Sequence, residues 1–438
     1  MSDTLQIKSV PISRRDSFNT RDKQTRELKP FYSGDIKILL LENISQKAVD
    51  ILNKAGYQVE FHTKALDKDA LIEKIKDVHV VGIRSKTKLT QEVLSHANKL
   101  IAIGCFCIGT NQVDLTYAAS RGICVFNSPF SNSRSVAELV IAEIILLARQ
   151  LGDRSREMHD GVWNKVSNNC YEIRGKTLGI IGYGHIGTQL GVLAESLGMH
   201  VIWYDILPLM PIGMSTAVES LDEVLAEADF VSCHVPETPE TKNMIGAREL
   251  ALMKPGSYLI NASRGTVVDI DALAVSLKSG HLAGAAVDVY PKEPLANGPG
   301  FESPLRNCPN TLLTPHIGGS TEEAQRMIGI EVATAATKFV NTGASINAVN
   351  FAECDLRAIP STDRTTVRIV NVHQNVPGVL RQINNILADY NVNKQISDSK
   401  GDVAYFMADV TVEDSKDINT IYEHVTAIGE NIITRVLF

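Results

Sequence analysis

A glycine-rich turn between an apolar strand and an apolar helix constrains the fold of this chain more than any other feature. The apolar segment Thr177–Ile181 runs into the GxGxxG motif of Gly182–Gly187, and apolar residues then recur at helical spacing. A strand, glycine turn and helix of this kind form one unit of a parallel sheet whose faces are covered by helices. Strand-like and helix-like segments alternate from Asp35 onward, so the sequence predicts an α/β fold.

The same turn predicts a dinucleotide site. Gly182 permits the tight turn, Gly184 lets a pyrophosphate approach the backbone, and Gly187 lets the helix pack closely on the strand. The next strand, His200–Tyr204, ends at Asp205, where a carboxylate accepts ribose hydroxyls and repels a 2′-phosphate. This pattern favours NAD over NADP. The alternative is a glycine turn that packs a helix and binds nothing.

Length and charge narrow the classes of partner. The chain has 438 residues, of which 44% are hydrophobic, a size that indicates about three domains with sizeable cores. Its 43 basic and 50 acidic residues give a net charge of −7, so no general attraction to nucleic acid or to an anionic membrane is expected. A small anionic ligand would therefore need a local cluster of cations.

Cysteine usage and hydropathy indicate the compartment. Seven cysteines without a CxxC pair, in a chain with no recognisable signal peptide, favour a reducing, cytoplasmic location. Cys105 and Cys107 lie in an apolar run, which favours buried small hydrophobes over metal or redox chemistry, so no metal site is predicted. The longest apolar candidate for a membrane span, Leu139–Ala148, is interrupted by Glu143 and is about half as long as a bilayer requires. We therefore expect a soluble protein.

The two ends of the chain differ from its middle. Residues 1–34 are polar and are expected to form a flexible tail, and residues 351–364 form a predicted linker. After the linker the pattern predicts the order βαββαβ, which is ferredoxin-like. The predicted segments are strand Thr366–His373, helix Gly378–Tyr390, strands Val392–Asp398 and Ala404–Val410, helix Asp417–Ala427 and strand Ile432–Phe438.

Three polar residues follow apolar runs downstream of the glycine turn: Arg264, Glu293 and His316. Open α/β sheets bind ligands at the carboxyl ends of their strands. Each residue alone has a plain structural alternative, namely a surface ion pair, a solvated loop acid and a core histidine. Together they suit the oxidation of a secondary alcohol by hydride transfer to NAD. His316 would take the hydroxyl proton, Glu293 would stabilise the imidazolium, and Arg264 would hold a carboxylate.

Several segments of the chain resemble one enzyme family. Gly179–Gly187, Asn261–Asp269 and Thr314–Thr321, together with Ile103–Asp114, are similar to the NAD-dependent D-2-hydroxyacid dehydrogenases. The resemblance covers residues 35–438 and implies that the arginine, glutamate and histidine named above are catalytic. The cofactor-binding residues that it implies are Gly182, Gly184, His185, Ile186, Gly187, Asp205, Ala262, Ser263, Arg264, Asp288, His316, Ile317, Gly318 and Gly319. Among these, Asp288 matches a contact to the nicotinamide amide.

The resemblance also implies a domain architecture. A Rossmann-type NAD-binding domain, residues 136–316, would be inserted in a discontinuous, flavodoxin-like substrate-binding domain of residues 35–135 and 317–350. Residues 365–438 resemble an ACT domain, a small-molecule sensor.

The branch of the family that the chain resembles acts on a phosphorylated substrate. It implies oxidation of 3-phosphoglycerate to 3-phosphohydroxypyruvate, the first step of phosphorylated L-serine biosynthesis. Reduction of 2-oxoglutarate is expected as a side activity, because Arg84 and Lys86 could hold a distal carboxylate as well as a phosphate. Arg84, Ser85 and Asn132 would contact the substrate. Lys86 stands where we expect arginine. The compact ammonium group of lysine therefore replaces a guanidinium that could bind an anion through two parallel N–H groups. The alternative for Lys86 is a solvated basic loop.

The C-terminal resemblance implies regulation. His373, Asn375 and Asn393 match residues that hold L-serine across a domain interface in serine-regulated relatives, which form homotetramers. The alternative is a dimerisation module that binds nothing. For the whole chain, an NAD(H)-sensing corepressor on the same fold is the rival interpretation, although such proteins lack an ACT-like domain. In the tail, Arg14–Ser17 resembles a basophilic kinase site, with Ser17 as the acceptor.

Overall fold

The structure, a computed structural model, describes residues 13–14, 33–294, 297–360, 363 and 365–437. The chain divides into two compact units, one of Met1–Pro129 with Gln325–Phe438 and one of Phe130–Ala324. The predicted phosphorylation site at Ser17 lies outside the described residues, as does most of the predicted tail.

The described part of the first unit opens with a short strand and then alternates strands and helices. These elements are β1 (Ser13–Arg14), a 3-10 turn (Ser33–Asp35), β2 (Lys37–Leu40), α1 (Gln46–Lys54), β3 (Gln58–Phe61), α2 (Lys68–Ile75), β4 (Val80–Ile83), α3 (Gln91–Ser95), β5 (Ala102–Cys105), α4 (Leu115–Ser120) and β6 (Cys124–Phe126). Strands β2 to β6 form a parallel sheet in the order β3-β2-β4-β5-β6, the order of flavodoxin-like folds. β4 and β5 are buried along their whole length, as expected of parallel strands that are covered on both faces.

The second unit is a Rossmann-type domain. Its elements are α5 (Ser133–Ala148), α6 (Leu151–His159), β7 (Thr177–Ile181), α7 (His185–Ser196), β8 (His200–Tyr204), β9 (Thr216–Ala217), α8 (Leu221–Glu227), β10 (Phe230–Cys233), α9 (Ala247–Leu252), β11 (Tyr258–Asn261), a 3-10 turn (Gly265–Val267), α10 (Ile270–Lys278), β12 (Gly284–Val287) and β13 (Thr311–Leu313). The seven strands are parallel and run in the order β13-β12-β11-β10-β7-β8-β9. The order reverses beside β7, and ligands bind at such a switch point in sheets of this kind.

After α11 (Glu322–Thr342) the chain ends in an antiparallel sheet. Its elements are β14 (Thr366–Gln374), α12 (Val379–Leu387), β15 (Asn391–Lys400), β16 (Val403–Thr411), α13 (Ser415–Ala427) and β17 (Asn431–Leu437). The sheet order is β1-β17-β14-β16-β15, so the predicted βαββαβ arrangement is confirmed. The pairing of β1 with the outer edge of β17 was not predicted from the sequence.

One apolar core joins the C-terminal sheet to the rest of the first unit. Phe339 of α11 shares this core with Val370 of β14 and Tyr405 of β16. The Tyr405 hydroxyl donates a 2.5 Å hydrogen bond to the Gly343 carbonyl. Arg435 of β17 is buried and donates to the Phe339 carbonyl at 2.9 Å. The sheet therefore packs into its unit through polar as well as apolar contacts.

The predicted linker has no helix or strand in its described part, but it is not detached from the sheet. Arg368 of β14 is buried and donates to the carbonyls of Leu356 and Arg357 at 3.2 and 2.7 Å. The same guanidinium pairs with Asp409 of β16. A buried charge is tolerated here because its donors are engaged by carbonyls and a carboxylate.

Candidate active site

The residues predicted to be catalytic follow three neighbouring strands of the second unit. Arg264 follows β11, Glu293 follows β12 and His316 follows β13. Because these strands are parallel and adjacent, their carboxyl ends meet at one edge of the sheet. The glycine turn after β7 lies at the same edge.

His316 and Glu293 form a direct pair. The imidazole Nδ1 lies 3.0 Å from Glu293 Oε1 and 2.9 Å from Oε2, and both side chains are partly exposed. His316 has a φ of 54°, a left-handed conformation that is uncommon outside glycine. Its backbone N–H donates to the Asp288 carbonyl at 2.8 Å. The Nδ1 contact orients the ring so that Nε2 is the nitrogen left for another partner.

The backbone around Arg264 is held by local hydrogen bonds and by a close approach to a neighbouring segment. Asn261, at the end of β11, donates to the Arg264 carbonyl at 3.1 Å and accepts from the Ser263 hydroxyl at 2.8 Å. A Cβ at Gly265 would lie 2.0 Å from the Tyr290 carbonyl carbon, so only glycine allows the two segments to approach this closely. The Tyr290 N–H donates to Glu293 at 3.2 Å. The segments that carry Arg264 and Glu293 are therefore in contact.

Asp288 organises the loop that carries His316. Its carboxylate accepts from the Thr314 hydroxyl at 2.6 Å and from the N–H groups of Ile317 and Gly318 at 2.8 Å each. The side chain is 1% exposed. The sequence implied a cofactor contact for Asp288, and the structure adds these three bonds to the backbone and side chains of the loop that carries His316.

Glu143 was not predicted as part of this region. It lies on α5, is 2% exposed, and neither carboxylate oxygen has a hydrogen-bond partner among the described residues. Burial, and then the charge of Asp288, raise the pKa of Glu143 to about 8. The signal in the sequence is an acidic residue inside the otherwise apolar run Leu139–Ala148.

The glycine turn fits a bound dinucleotide. Gly182 has a φ of 91°, and a Cβ there would lie 2.5 Å from the His234 carbonyl oxygen. A Cβ at Gly187 would lie 2.3 Å from the Gly182 carbonyl oxygen, so α7 packs as closely as predicted. By contrast, a Cβ at Gly184 would meet nothing within 4 Å. The protein itself does not require glycine at 184, which is explained if a pyrophosphate takes that space beside the N-terminus of α7.

Asp205 lies at the end of β8, as predicted, and fixes the turn. Its carboxylate accepts from the N–H groups of Tyr183 and Leu207 at 2.8 and 2.9 Å. The next residue, Ile206, carries no charge, so no cation at that position neutralises the acid. These features fit the ribose hydroxyls of NAD better than a 2′-phosphate.

The predicted substrate residues lie in both units. Arg84, Ser85 and Lys86 follow β4 in the first unit, at the carboxyl end of its sheet. Asn132 lies in the second unit, immediately before α5, and is 7% exposed. Its amide lies against the loop that carries His316, since a Cβ at Gly319 would be 2.3 Å from Asn132 Nδ2.

The predicted serine residues do not come together within one chain. His373 pairs with Ala404 at the start of β16, whereas the Asn393 amide donates to Thr411 at the end of that strand, at 2.9 Å. Seven residues of strand separate these levels, which is roughly 20 Å. Asn375 donates to the Gly401 carbonyl at 3.1 Å, near the His373 end. A site that uses all three residues would need Asn393 from another copy.

The described segments contain free thiols but no metal-binding cluster and no helix that could cross a membrane. All seven cysteines lie in described segments and are free thiols. In those segments, no three His, Cys, Asp or Glu side chains are grouped so as to hold a metal ion. No helix there combines the length and apolarity needed to cross a bilayer.

Comparison with known proteins assigns the family. Residues 141–318 match the model for the NAD-binding domain of D-isomer specific 2-hydroxyacid dehydrogenases. The chain is 59% identical to D-3-phosphoglycerate dehydrogenase 1 of Saccharomyces cerevisiae, over 95% of this chain and 90% of that enzyme. It is 52% identical to D-3-phosphoglycerate dehydrogenase of Escherichia coli K12, over 92% of this chain and 98% of that enzyme.

Solved structures give the same result. The NAD-complexed D-isomer specific 2-hydroxyacid dehydrogenase of Lactobacillus delbrueckii ssp. bulgaricus superposes with a TM-score of 0.64 at 29% identity, covering 72% of this chain and all of that one. The chain therefore belongs to the NAD-dependent D-2-hydroxyacid dehydrogenase family, in its D-3-phosphoglycerate dehydrogenase branch.

Proposed function

We propose that this protein oxidises 3-phosphoglycerate to 3-phosphohydroxypyruvate with NAD, as the first step of phosphorylated L-serine biosynthesis. The observation that carries the proposal is the His316–Glu293 pair, which lies at the same sheet edge as Arg264 and the glycine turn. The identity with D-3-phosphoglycerate dehydrogenases over most of the chain supports the choice of substrate.

His316 is the acid and base of the reaction. Nε2 takes the proton of the substrate hydroxyl as the C–O bond becomes a carbonyl, and Glu293 on Nδ1 stabilises the imidazolium that results. NAD held by the glycine turn and Asp205 would supply the hydride acceptor for the carbon that carries this hydroxyl. In the reverse direction His316 returns the proton to the carbonyl oxygen.

Fixed cations hold the anionic substrate. Arg264 binds the carboxylate and polarises the developing carbonyl, which suits its planar, permanently charged guanidinium. Arg84, Ser85 and Lys86 bind the phosphate, and Asn132 contributes a hydrogen bond. The net charge of −7 gives the substrate no general attraction, so these local groups must supply the binding. Because Arg84 and Lys86 would also hold a distal carboxylate, 2-oxoglutarate reduction is the side activity that we propose.

L-serine is the proposed feedback inhibitor. His373 and Asn375 from one copy and Asn393 from another would hold the amino acid between two C-terminal sheets of a homotetramer. The exposed outer strand β15, which carries Asn393, supports this arrangement because it leaves an edge for a second copy. Serine should inhibit turnover, and Asn393→Ala should relieve the inhibition without changing the uninhibited rate. Equal rates with and without millimolar serine would exclude the effector.

Two smaller proposals follow from the sequence. The free thiols support a reducing, cytoplasmic location.

The second proposal is phosphorylation of Ser17. It would be detected by mass spectrometry of protein from its native source, and an unmodified residue under all growth conditions would exclude it.

The activity is tested by mixing the protein with NADH and 3-phosphohydroxypyruvate and following the loss of NADH absorbance. Oxidation of NADH that depends on the keto acid is expected. A folded preparation that binds NADH but turns over no keto acid would contradict the proposal and favour an NAD(H)-sensing, corepressor-like protein.

A further inference from the structure

The loop that carries Arg84, Ser85 and Lys86 is held by a buried carboxylate. Glu42 Oε2 accepts from the Lys86 N–H at 2.9 Å, and Oε1 accepts from the Thr87 N–H at 2.7 Å. Each oxygen thus binds one of two consecutive N–H groups. Glu42 is 7% exposed, so water competes little for these bonds.

The backbone at Glu42 and Asn43 has left-handed dihedral angles, which place the Glu42 side chain beside the loop. Glu42 follows β2, which pairs directly with β4. It has a φ of 69°, and Asn43 has a φ of 53°. Left-handed conformations in two successive non-glycine residues cost on the order of 1 kcal/mol each or more, and such strain concentrates at functional sites. The strain turns the chain at the carboxyl end of the sheet, where the loop begins.

A second buried side chain holds the loop from the other side. Gln112 is 3% exposed, and its Nε2 donates to the Arg84 carbonyl at 2.7 Å and to the Gly109 carbonyl at 3.0 Å. The backbone carbonyl of Gln112 accepts a hydrogen bond from the Leu89 N–H at 2.8 Å, and Leu89 lies just beyond the loop. Glu42 and Gln112 therefore bind the backbone groups of the loop from two sides.

The cationic side chains of the loop are left for a ligand. In the part of the chain that the structure describes, neither Arg84 nor Lys86 forms an ion pair, and Lys86 is exposed. An acidic residue this close would normally weaken an anion site. Here its oxygens face backbone N–H groups rather than the cationic ends of the side chains.

We propose that Glu42 is a positioning residue for the substrate phosphate. It acts through the loop by fixing its backbone before the substrate arrives, so that binding does not have to order Arg84 and Lys86. Gln112 has the same role on the opposite side. This inference rests on the proposed function, since it assumes that the loop binds the phosphate of the substrate.

The test compares Glu42→Gln with two other variants. Glutamine has nearly the same volume as glutamate, but its NH₂ group would face one of the two backbone N–H groups. The loop would then lose one charge-assisted hydrogen bond, and two donors would face each other. We expect the KM for 3-phosphohydroxypyruvate to rise roughly tenfold or more, with kcat and the Kd for NADH within about twofold of wild type. Inhibition by inorganic phosphate, competitive with the substrate, should weaken in parallel. Glu60→Gln, an exposed acid on neighbouring β3, is the matched control and should change none of these values.

Arg84→Ala separates failure of the inference from failure of the proposed function. If Arg84→Ala raises KM and a folded Glu42→Gln does not, the positioning role is wrong while the substrate loop stands. If Arg84→Ala leaves KM unchanged, the loop does not bind the phosphate, so the positioning role and the proposed phosphate site both fall while the dehydrogenase activity itself stands. Should Glu42→Gln not fold, Gln112→Leu tests the same role, because it removes the donor to the Arg84 carbonyl. An unchanged KM in folded Gln112→Leu would then overturn the inference.

Discussion

At the scale of single residues, the polar groups of the proposed sites differ in burial: Arg264, Glu293 and His316 are at least partly exposed, whereas Glu42 and Glu143 are buried. Arg264, Glu293 and His316 each follow an apolar run, and this position is visible in the sequence. Glu42 and Glu143 were not predicted. Their importance depends on burial and on partners distant in the chain, and neither property is written in the neighbouring residues.

Glu143 makes stability depend on pH. The pKa of this carboxyl is about 8 in the folded protein, against an ordinary value of 4.5. Between these values the folded state holds a proton that the unfolded state releases, so this contribution is complete below about pH 4.5 and is lost as the pH rises through about 8. The free energy of unfolding should fall by up to about 1.4 kcal/mol per pH unit in this range.

Glu143→Gln should remove that dependence. The neutral amide cannot ionise beside Asp288, so the variant should gain stability relative to wild type as the pH rises. Urea unfolding of both proteins at about pH 5, 6.5 and 8 measures the difference. A difference that stays constant across the three pH values would show that Glu143 is not protonated in the folded state.

At the scale of elements, periodicity predicted most helices and strands, and errors arose at their ends. The predicted strand His200–Tyr204 matches β8 residue for residue. The helix predicted over Gly378–Tyr390 spans only Val379–Leu387: Gly378 has a φ of 99° and lies before it, and the helix ends three residues earlier than predicted. β15 is longer than predicted, since pairing with β16 continues through the hairpin to Lys400. How far two strands remain paired at a hairpin is not indicated by the hydrophobic pattern of either strand.

The glycine turn allows a matched pair of substitutions. Gly184→Ala should fold normally, because its Cβ meets no protein atom, but NADH affinity should fall by roughly tenfold or more, because the pyrophosphate needs that space. Gly187→Ala should instead destabilise the protein by about 1–3 kcal/mol, because its Cβ would press on the Gly182 carbonyl. Calorimetric NADH titration and thermal unfolding of both variants check this. Equal NADH affinity in wild type and Gly184→Ala would mean that the pyrophosphate does not lie there.

At the scale of the whole molecule, the C-terminal sheet contributes residues to two separate apolar cores, which the sequence did not predict. The βαββαβ order was visible, but β14 and β16 are buried on both faces, one against their helices and one in the core that contains Phe339. A sequence pattern shows that both faces are apolar and does not say what covers the second one. We therefore expect the sheet and the rest of the first unit to unfold together.

Two left-handed glycines test this shared core. Gly343 has a φ of 75° and a Cβ there would lie 2.4 Å from Val370 of β14, whereas Gly401 has a φ of 60° with nothing within 4 Å. Gly401→Ala should cost about 1 kcal/mol through its backbone alone, and Gly343→Ala should cost clearly more. Hydrogen exchange should show lowered protection in both β14 and β5 of Gly343→Ala. Loss confined to the C-terminal sheet would mean that it unfolds independently.

The central claim is that His316 carries the proton, while the glycine turn and Asp205 at the same edge of the sheet supply most of the cofactor binding. The most direct test is His316→Ala, with kcat for 3-phosphohydroxypyruvate and the Kd for NADH measured on the same preparation. We predict that kcat falls by about 10²–10⁴ while the Kd stays within about twofold of wild type. An unchanged kcat would contradict the account, since some other group would then be moving the proton.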